Sequence, residues 1–212
     1  MRTVYRDGQL LVLEKPEGLL SVPGRGAGKA DCLSARVQAQ DPDALIVHRL
    51  DMATSGLILM ARGADTQRRL SRAFAEREVG KRYVAVVAGL LDSPTAGDGW
   101  GLVDLPIAAD WPNRPLRIID RDRGQASLTR WRVLAQDSRA RTTRVELEPV
   151  TGRSHQLRVH LKAIGHPILG DALYAPPEIA AAAPRLLLHA SELRFTHPWS
   201  GMPMEFSSPA PF

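Results

Sequence analysis

The sequence predicts an α+β fold in a single domain, built on a central mixed, mostly antiparallel β-sheet flanked by helices and loops. Three observations carry this expectation: several short runs alternate apolar and polar residues, a few stretches place apolar residues at helical spacing, and turn dipeptides or Gly/Pro clusters separate them. Strands and helices are interspersed with hairpins, the order expected of α+β chains.

Taken in order, residues 3–6 and 9–14 flank Asp7-Gly8, a dipeptide favoured in tight hairpins, and Lys15-Pro16 ends the second strand. Residues 23–29 are expected to form a mobile basic loop. They lack the Gly-Lys-Ser/Thr ending of a phosphate-cradling loop, and no strand leads straight into them. Asp31 is then placed to cap a short helix reaching about Gln40. Two apolar runs, 45–47 and 57–60, enclose the polar stretch 48–56. Asp65 is expected to cap a helix to about Val79, with Leu70 and Phe74 on the buried stripe and Arg68, Arg69, Arg72 and Arg77 elsewhere. Residues 81–90 read as a strand and 91–101 as a Gly/Asp/Ser/Pro-rich loop. Residues 127–135 and 142–150 read as half-buried antiparallel strands, with Val145, Leu147 and Pro149 alternating against Arg144, Glu146 and Glu148. Ser154 is expected to cap a helix over 155–164 stopped by Gly165, although Leu157, Val159 and Leu161 also alternate as in a strand. Two further strands are expected, at 185–196 and 204–207.

A chain of 212 residues that is 44% hydrophobic and 24% charged can bury one substantial core. The net charge of +5 and pI near 9.9 suggest an anionic partner, nucleic acid being the commonest polyanion. Only four of the 28 basic residues are lysine, and arginine forks onto phosphates and stacks on bases. A genome rich in G and C raises arginine too, so composition carries only part of that inference. Cys32 is the one cysteine, which excludes an intrachain disulfide and fits a reducing compartment. The first residues hold no apolar signal segment, and no run approaches the roughly 18 apolar residues of a membrane span. A soluble, unprocessed, cytoplasmic protein is expected.

The densest polar cluster is His48-Arg49-Leu50-Asp51-Met52-Ala53-Thr54-Ser55-Gly56. A loop mounted between core strands is a common place for chemistry, and Asp51, two residues from Arg49, is the candidate reacting group. The same residues equally describe a turn in which Thr54 and Ser55 bond local backbone. The six histidines form no HExxH pattern, and no metal site is expected. Ser154 beside His155 is not a nucleophile elbow and is better explained by capping. A carboxylate acting without a metal can stabilise or capture an electron-poor sugar carbon. No second carboxylate stands out, which favours a leaving group that departs as a stabilised anion, as a uracil ring can.

Four ordered motifs resemble the RluA family of pseudouridine synthases. They are His48-Arg49-Leu50-Asp51 with Thr54-Ser55-Gly56, then Lys81-Arg82-Tyr83-Val84-Ala85, then Gly152-Arg153-Ser154-His155-Gln156-Leu157-Arg158-Val159-His160, and finally His166-Pro167-Ile168-Leu169-Gly170-Asp171. The resemblance implies one catalytic domain over residues 1–212, without the N-terminal S4-type RNA-binding domain that many relatives carry. It implies isomerisation of uridine to pseudouridine without a cofactor. Asp51 would be the essential carboxylate, attacking C1′ or assisting removal of the 2′ proton. Arg158 resembles the arginine that pairs with it, and Tyr83 the tyrosine that stacks on the target base. Arg49 resembles the side chain that enters the RNA stack when the uridine flips out, and His48, Arg153 and His155 would join it in contacting RNA. The implied substrates are tRNA, at uridine 32 of anticodon loops, and/or 23S rRNA, at uridine 746. No membrane association and no obligate protein partner are implied, and a monomer is expected. Residues 91–101 and 120–125 depart from the family pattern and can alter the choice of RNA. Two other classes fit parts of the sequence: a non-catalytic RNA-binding protein, and a nucleoside glycosidase that releases free uracil.

Overall fold

A computed structural model describes residues 1–24, 30–94 and 97–212, so most of the basic loop expected at 23–29 lies outside the described residues. Among the described residues it contains twelve strands and four helices, numbered in chain order, with strands mostly antiparallel as expected. The chain divides into two compact units: Met1–Lys81 with His189–Pro211, and Arg82–Leu188 with Phe212.

In the first unit β1 (Arg2–Arg6) and β2 (Leu10–Lys15) form the expected antiparallel hairpin. Asp7 makes the turn by accepting from the backbone N–H groups of Gln9 and Leu10 at 2.7 and 2.8 Å. The next strands are β3 (Ala44–Ile46) and β4 (Ser55–Arg62). Strand β4 is buried from Ser55 to Ala61, which explains its unbroken apolar run: a strand covered on both faces needs no alternation. β2 pairs antiparallel along one edge of it, from Lys15 opposite Gly56 to Leu10 opposite Ala61. On its other edge β3 pairs antiparallel with its end, while β11 (Leu188–Thr196) pairs parallel with its beginning, His189 opposite Ser55 and Ala190 opposite Gly56. β12 (Pro203–Ser207) continues antiparallel from β11. Leu10, Val12, Leu57, Leu59, Leu193 and Phe195 are the centre of this core.

Two helices in this unit differ from expectation at their ends. Helix α1 (Leu33–Gln38) is capped by Cys32, whose Sγ accepts from the Ala35 N–H, and not by Asp31. Asp31 is drawn away by Arg36, which donates from Nε at 2.7 Å and from Nη2 at 2.6 Å. Helix α2 (Ala64–Ala75) follows Gly63, with Asp65 in its first turn bonded to Arg68, and it stops four residues before Val79. Arg77 adopts a left-handed φ of 63° there, and the Arg77 and Glu78 N–H groups turn back to the carbonyls of Phe74 and Ala73. That is a Schellman closure built on arginine where glycine is usual. Val79, released from the helix, is buried in the core.

The second unit is an antiparallel sheet in the order β5 (Gly80–Ala88, its first two residues counted with the first unit), β10 (Thr142–Pro149), β9 (Leu128–Asp137), β6 (Gly101–Asp104). Thr143, Val145 and Leu147 are buried and the residues between them are not, as the alternation predicts; Pro149 is only half-buried. A small hairpin of β7 (Ile107–Ala109) and β8 (Arg117–Ile119), and the short helix α4 (Pro177–Ala181), had no clear sequence signal. Residues 155–164 do form a helix, α3 (Gln156–Ala163), and Gly165, with φ of +86°, stops it. Residues 156 to 161 are buried without interruption, so the alternation seen in the sequence marks no exposed face. Ser154 does not cap it. His155 occupies the cap position with φ of 59° and makes no side-chain capping bond. Gln156 organises the turn instead: its Oε1 accepts from the Thr151 hydroxyl at 2.7 Å and the Arg153 N–H at 3.0 Å, while its Nε2 donates to the Leu128 carbonyl at 3.0 Å.

Candidate active site

The first unit carries His48, Arg49 and Asp51 on one loop, leading from β3 into β4. The loop has few degrees of freedom, because its polar groups are tied to the strands around it. Ser21 Oγ donates to the Leu50 carbonyl at 2.7 Å and accepts from the Leu50 N–H at 3.1 Å, clamping the residue just before Asp51 from both sides of its backbone. Lys15, 1% exposed, donates from Nζ to the carbonyls of Pro16 and Leu19 at 2.8 Å and of Met52 at 3.1 Å. The Asp51 carbonyl itself accepts from the Thr54 N–H at 3.1 Å, closing a tight turn. Asp51 is half-buried between exposed Arg49 and exposed Met52. A carboxylate on such a clamped, partly dry turn is preorganised for chemistry at an electron-poor centre.

His48 is committed inward. Its Nε2 accepts from the Leu59 N–H at 2.9 Å and its ring stacks on Phe74 at 4.5 Å between centroids. Burial, and then the nearby charge of Lys81, depress its pKa to about 3, so the imidazole is neutral and its proton sits on Nδ1. Gly56 ends the loop with φ of +114°, and a Cβ there would stand 2.3 Å from the Ala190 carbonyl oxygen. Only glycine lets the backbones of β4 and β11 meet this closely.

The second unit carries Tyr83, Arg153, His155 and Arg158. Tyr83 lies half-buried on β5, opposite Leu147 of β10, and its neighbour Arg82 donates to Glu146 at 2.8 Å. Arg158 is buried on α3, where Asp171 accepts from its Nε at 2.9 Å and its Nη2 at 2.6 Å. Asp171 Oδ1 also accepts from the N–H groups of Leu173 and Tyr174 at 3.1 and 3.2 Å. The Tyr174 hydroxyl accepts from the Arg117 N–H at 2.9 Å and meets His155 Nδ1 at 2.5 Å. Arg153 is exposed, with Nε 3.4 Å from the Ala126 carbonyl oxygen.

Several supporting residues were not singled out by sequence. Lys15 reads as a surface cation at a strand end, and only the apolar run before it hints at burial. Asp171 belongs to a quoted motif, but nothing in its spacing pairs it with Arg158. Ser21 and His189 fall in runs that share the family likeness, Leu19-Leu20-Ser21-Val22-Pro23-Gly24 and Pro184-Arg185-Leu186-Leu187-Leu188-His189-Ala190, but nothing there assigns them a role, and Tyr174 carries no local signal.

Residues 9–163 match the family model described as RNA pseudouridylate synthase. The chain is 49% identical to the dual-specificity RNA pseudouridine synthase RluA of Yersinia pestis over 212 residues, covering 100% of both chains. It is 51% identical to the protein of the same name from Escherichia coli strain K12, over 99% of this chain and 93% of that one. Among solved structures, human RNA pseudouridylate synthase domain containing 1 superposes with a TM-score of 0.80 at 28% identity, covering 100% of this chain and 84% of the human one.

Proposed function

The chain belongs to the RNA pseudouridylate synthase family and is an RNA pseudouridine synthase, and on that premise we propose that Asp51 is the carboxylate that acts on the ribose of the target uridine. The observation that carries this assignment is the clamped turn: Leu50 held on both backbone groups by Ser21, Met52 held by Lys15, and Asp51 between them. The reaction breaks the bond from uracil N1 to C1′ and forms one from C5 to C1′, while the C5 proton is lost and N1 gains one. Nothing is added, and the chemistry calls for no cofactor. The carboxylate serves either by capturing C1′ covalently or by removing the 2′ proton, and both routes need it ionised and aimed.

The family resemblance assigns Tyr83 to stacking on the uracil and Arg158 to supporting the carboxylate charge. Exposed Arg49, next but one to Asp51, is assigned to filling the vacancy left by the flipped base. Arg153, His155 and His48 are assigned to the RNA-contacting surroundings, His48 through the loop it anchors. The substrates we propose are tRNA anticodon loops and a loop of 23S rRNA, as the motif resemblance implies, and the name dual-specificity carried by the similar chains supports more than one RNA target. The two units act as one catalytic domain, in the cytoplasm, as a monomer without an obligate protein partner. No helix among the described residues is long and apolar enough to cross a membrane.

The decisive experiment is Asp51→Asn assayed at single turnover on an anticodon stem-loop. Pseudouridine formation should vanish while RNA affinity stays within about tenfold, because the change removes charge and little volume. Appreciable turnover by the variant sinks the assignment. Deuterium at C2′ of the target then separates the two routes: a primary isotope effect supports proton removal, and its absence supports capture. Free uracil in the product would identify a glycosidase.

A further inference from the structure

A second polar chain runs through the first unit behind the Asp51 turn, and the proposed mechanism makes no use of it. Ser55, four residues past Asp51, meets His189 Nδ1 at 2.8 Å through its hydroxyl. His189 Nε2 meets Ser208 Oγ at 3.0 Å, and the Ser208 hydroxyl donates to Glu14 Oε1 at 2.5 Å. Arg2 grips the same carboxylate with two bonds of 2.8 Å. Ser55, His189 and Ser208 are all buried, at 4%, 4% and 2% exposure, so these bonds do not compete with bulk water.

The direction of this chain follows from its acidic end. A carboxylate only accepts, and Arg2 followed by the Ser208 hydroxyl hold the Glu14 carboxyl below its ordinary range, so it is ionised. Ser208 has a single hydroxyl hydrogen and gives it to Glu14; toward His189 it therefore accepts, from Nε2–H. In its neutral form an imidazole that donates from Nε2 leaves Nδ1 as the acceptor for the Ser55 hydroxyl. Glu14 thus sets the tautomer of His189, and His189 sets the rotamer of Ser55. The backbones repeat the connection, since His189 and Ala190 pair with Ser55 and Gly56 at a separation that Gly56 alone permits.

We propose that His189 is a positioning residue for the isomerisation: as the neutral Nε2–H tautomer it fixes Ser55, and through Ser55 the trailing end of the turn that aims Asp51. Ser21 and Lys15 hold the leading part of that turn, and His189 completes the set from the far end of the chain. This inference rests on reading Asp51 as the catalytic carboxylate.

The test uses the full chain with an anticodon stem-loop, comparing His189→Leu with His189→Asn. The Asn Oδ1 stands close to the position of imidazole Nδ1 and can still accept from Ser55, whereas Leu cannot. A misaimed catalytic group costs up to about a hundredfold per ångström, so His189→Leu should lower the single-turnover rate by about thirtyfold with RNA Kd within about threefold. His189→Asn should recover most of that rate. A structural defect would instead weaken binding in step with rate and would not be rescued by Asn. In the unmodified protein, nitrogen NMR of the imidazoles should place the His189 hydrogen on Nε2, a measurement that stands even where the Leu variant fails to fold. Full activity of His189→Leu, equal rates for the Leu and Asn variants, or a hydrogen on Nδ1 each overturns the proposal. Asp51→Asn run alongside separates the two failures: an active Asp51→Asn enzyme removes the premise, while an inactive one beside a fully active His189→Leu removes only this inference.

Discussion

Arg158 and Asp171 form a buried, two-bonded ion pair, 4% and 1% exposed, that fixes helix α3 to the segment following Gly165. A charge this deep needs close hydrogen-bonded compensation, and each partner supplies part of the other's. Asp171→Ala takes two charge-assisted bonds from a buried guanidinium and should destabilise the protein by about 3 kcal/mol, read as a shift in the urea midpoint at constant slope. Replacing both by apolar residues should restore much of the loss, and yet leave the enzyme impaired if Arg158 also serves the reaction. A single Asp171→Ala variant as stable as the parent would show that the pair is not holding the helix.

Arg49→Ala should leave the fold intact, because the side chain is exposed. Extruding a base costs a few kcal/mol even from a loop, and a planar cation that fills the gap offsets part of it. Fluorescence of a base analogue at the target position should therefore rise less with this variant than with the parent at saturating protein. Equal extrusion would remove Arg49 from the flipping step.

The His48 imidazole gives the stability a defined pH dependence. Its folded pKa, about 3, lies below the ordinary 6.5, so the unfolded chain binds the proton more readily than the folded one. The stability contribution is complete above pH 6.5 and drains away as pH falls from there toward 3, by roughly 1 kcal/mol per pH unit. Denaturant unfolding at pH 7 and pH 5.5 should show this loss in the parent and a smaller one in His48→Gln, which has no proton to take up. An identical pH dependence in both would contradict the neutral, inward-facing imidazole.

RNA affinity should fall steeply and linearly on a log–log plot as salt rises, since each phosphate contact releases counterions. Arg153→Ala, at an exposed position, should reduce that slope by roughly one. A flat salt response would argue against broad backbone contact.

What could be read from the sequence was local. The Asp7-Gly8 hairpin, the alternation of β10 and the stop at Gly165 each depend on a few neighbouring residues, and each is present in the structure. Misreadings arose where a nearby competitor took the expected group: Arg36 draws off Asp31, and Gln156 does the work expected of Ser154. The early end of α2 was hidden for another reason. Arg77 takes a left-handed conformation that arginine rarely adopts, and no pattern of apolar residues announces it. The family was legible because its residues fall within four dense motifs. The contacts that brace the Asp51 turn were not legible, since Ser55 and His189 are separated by 134 positions and Lys15 and Met52 by 37, and only folding brings them together.

The parallel pairing of β4 with β11 has a consequence for how the enzyme comes into being. A contact spanning 134 residues forms late, because the intervening chain must be made and ordered before its closure entropy is repaid. A nascent chain that has completed its Asp51 turn, but has not yet released residues 189–208 from the ribosome, holds that turn without its β11 neighbour. The β4–β11 pairing should therefore be completed only after residues 189–208 have emerged from the ribosome, and a nascent chain shorter than this lacks it.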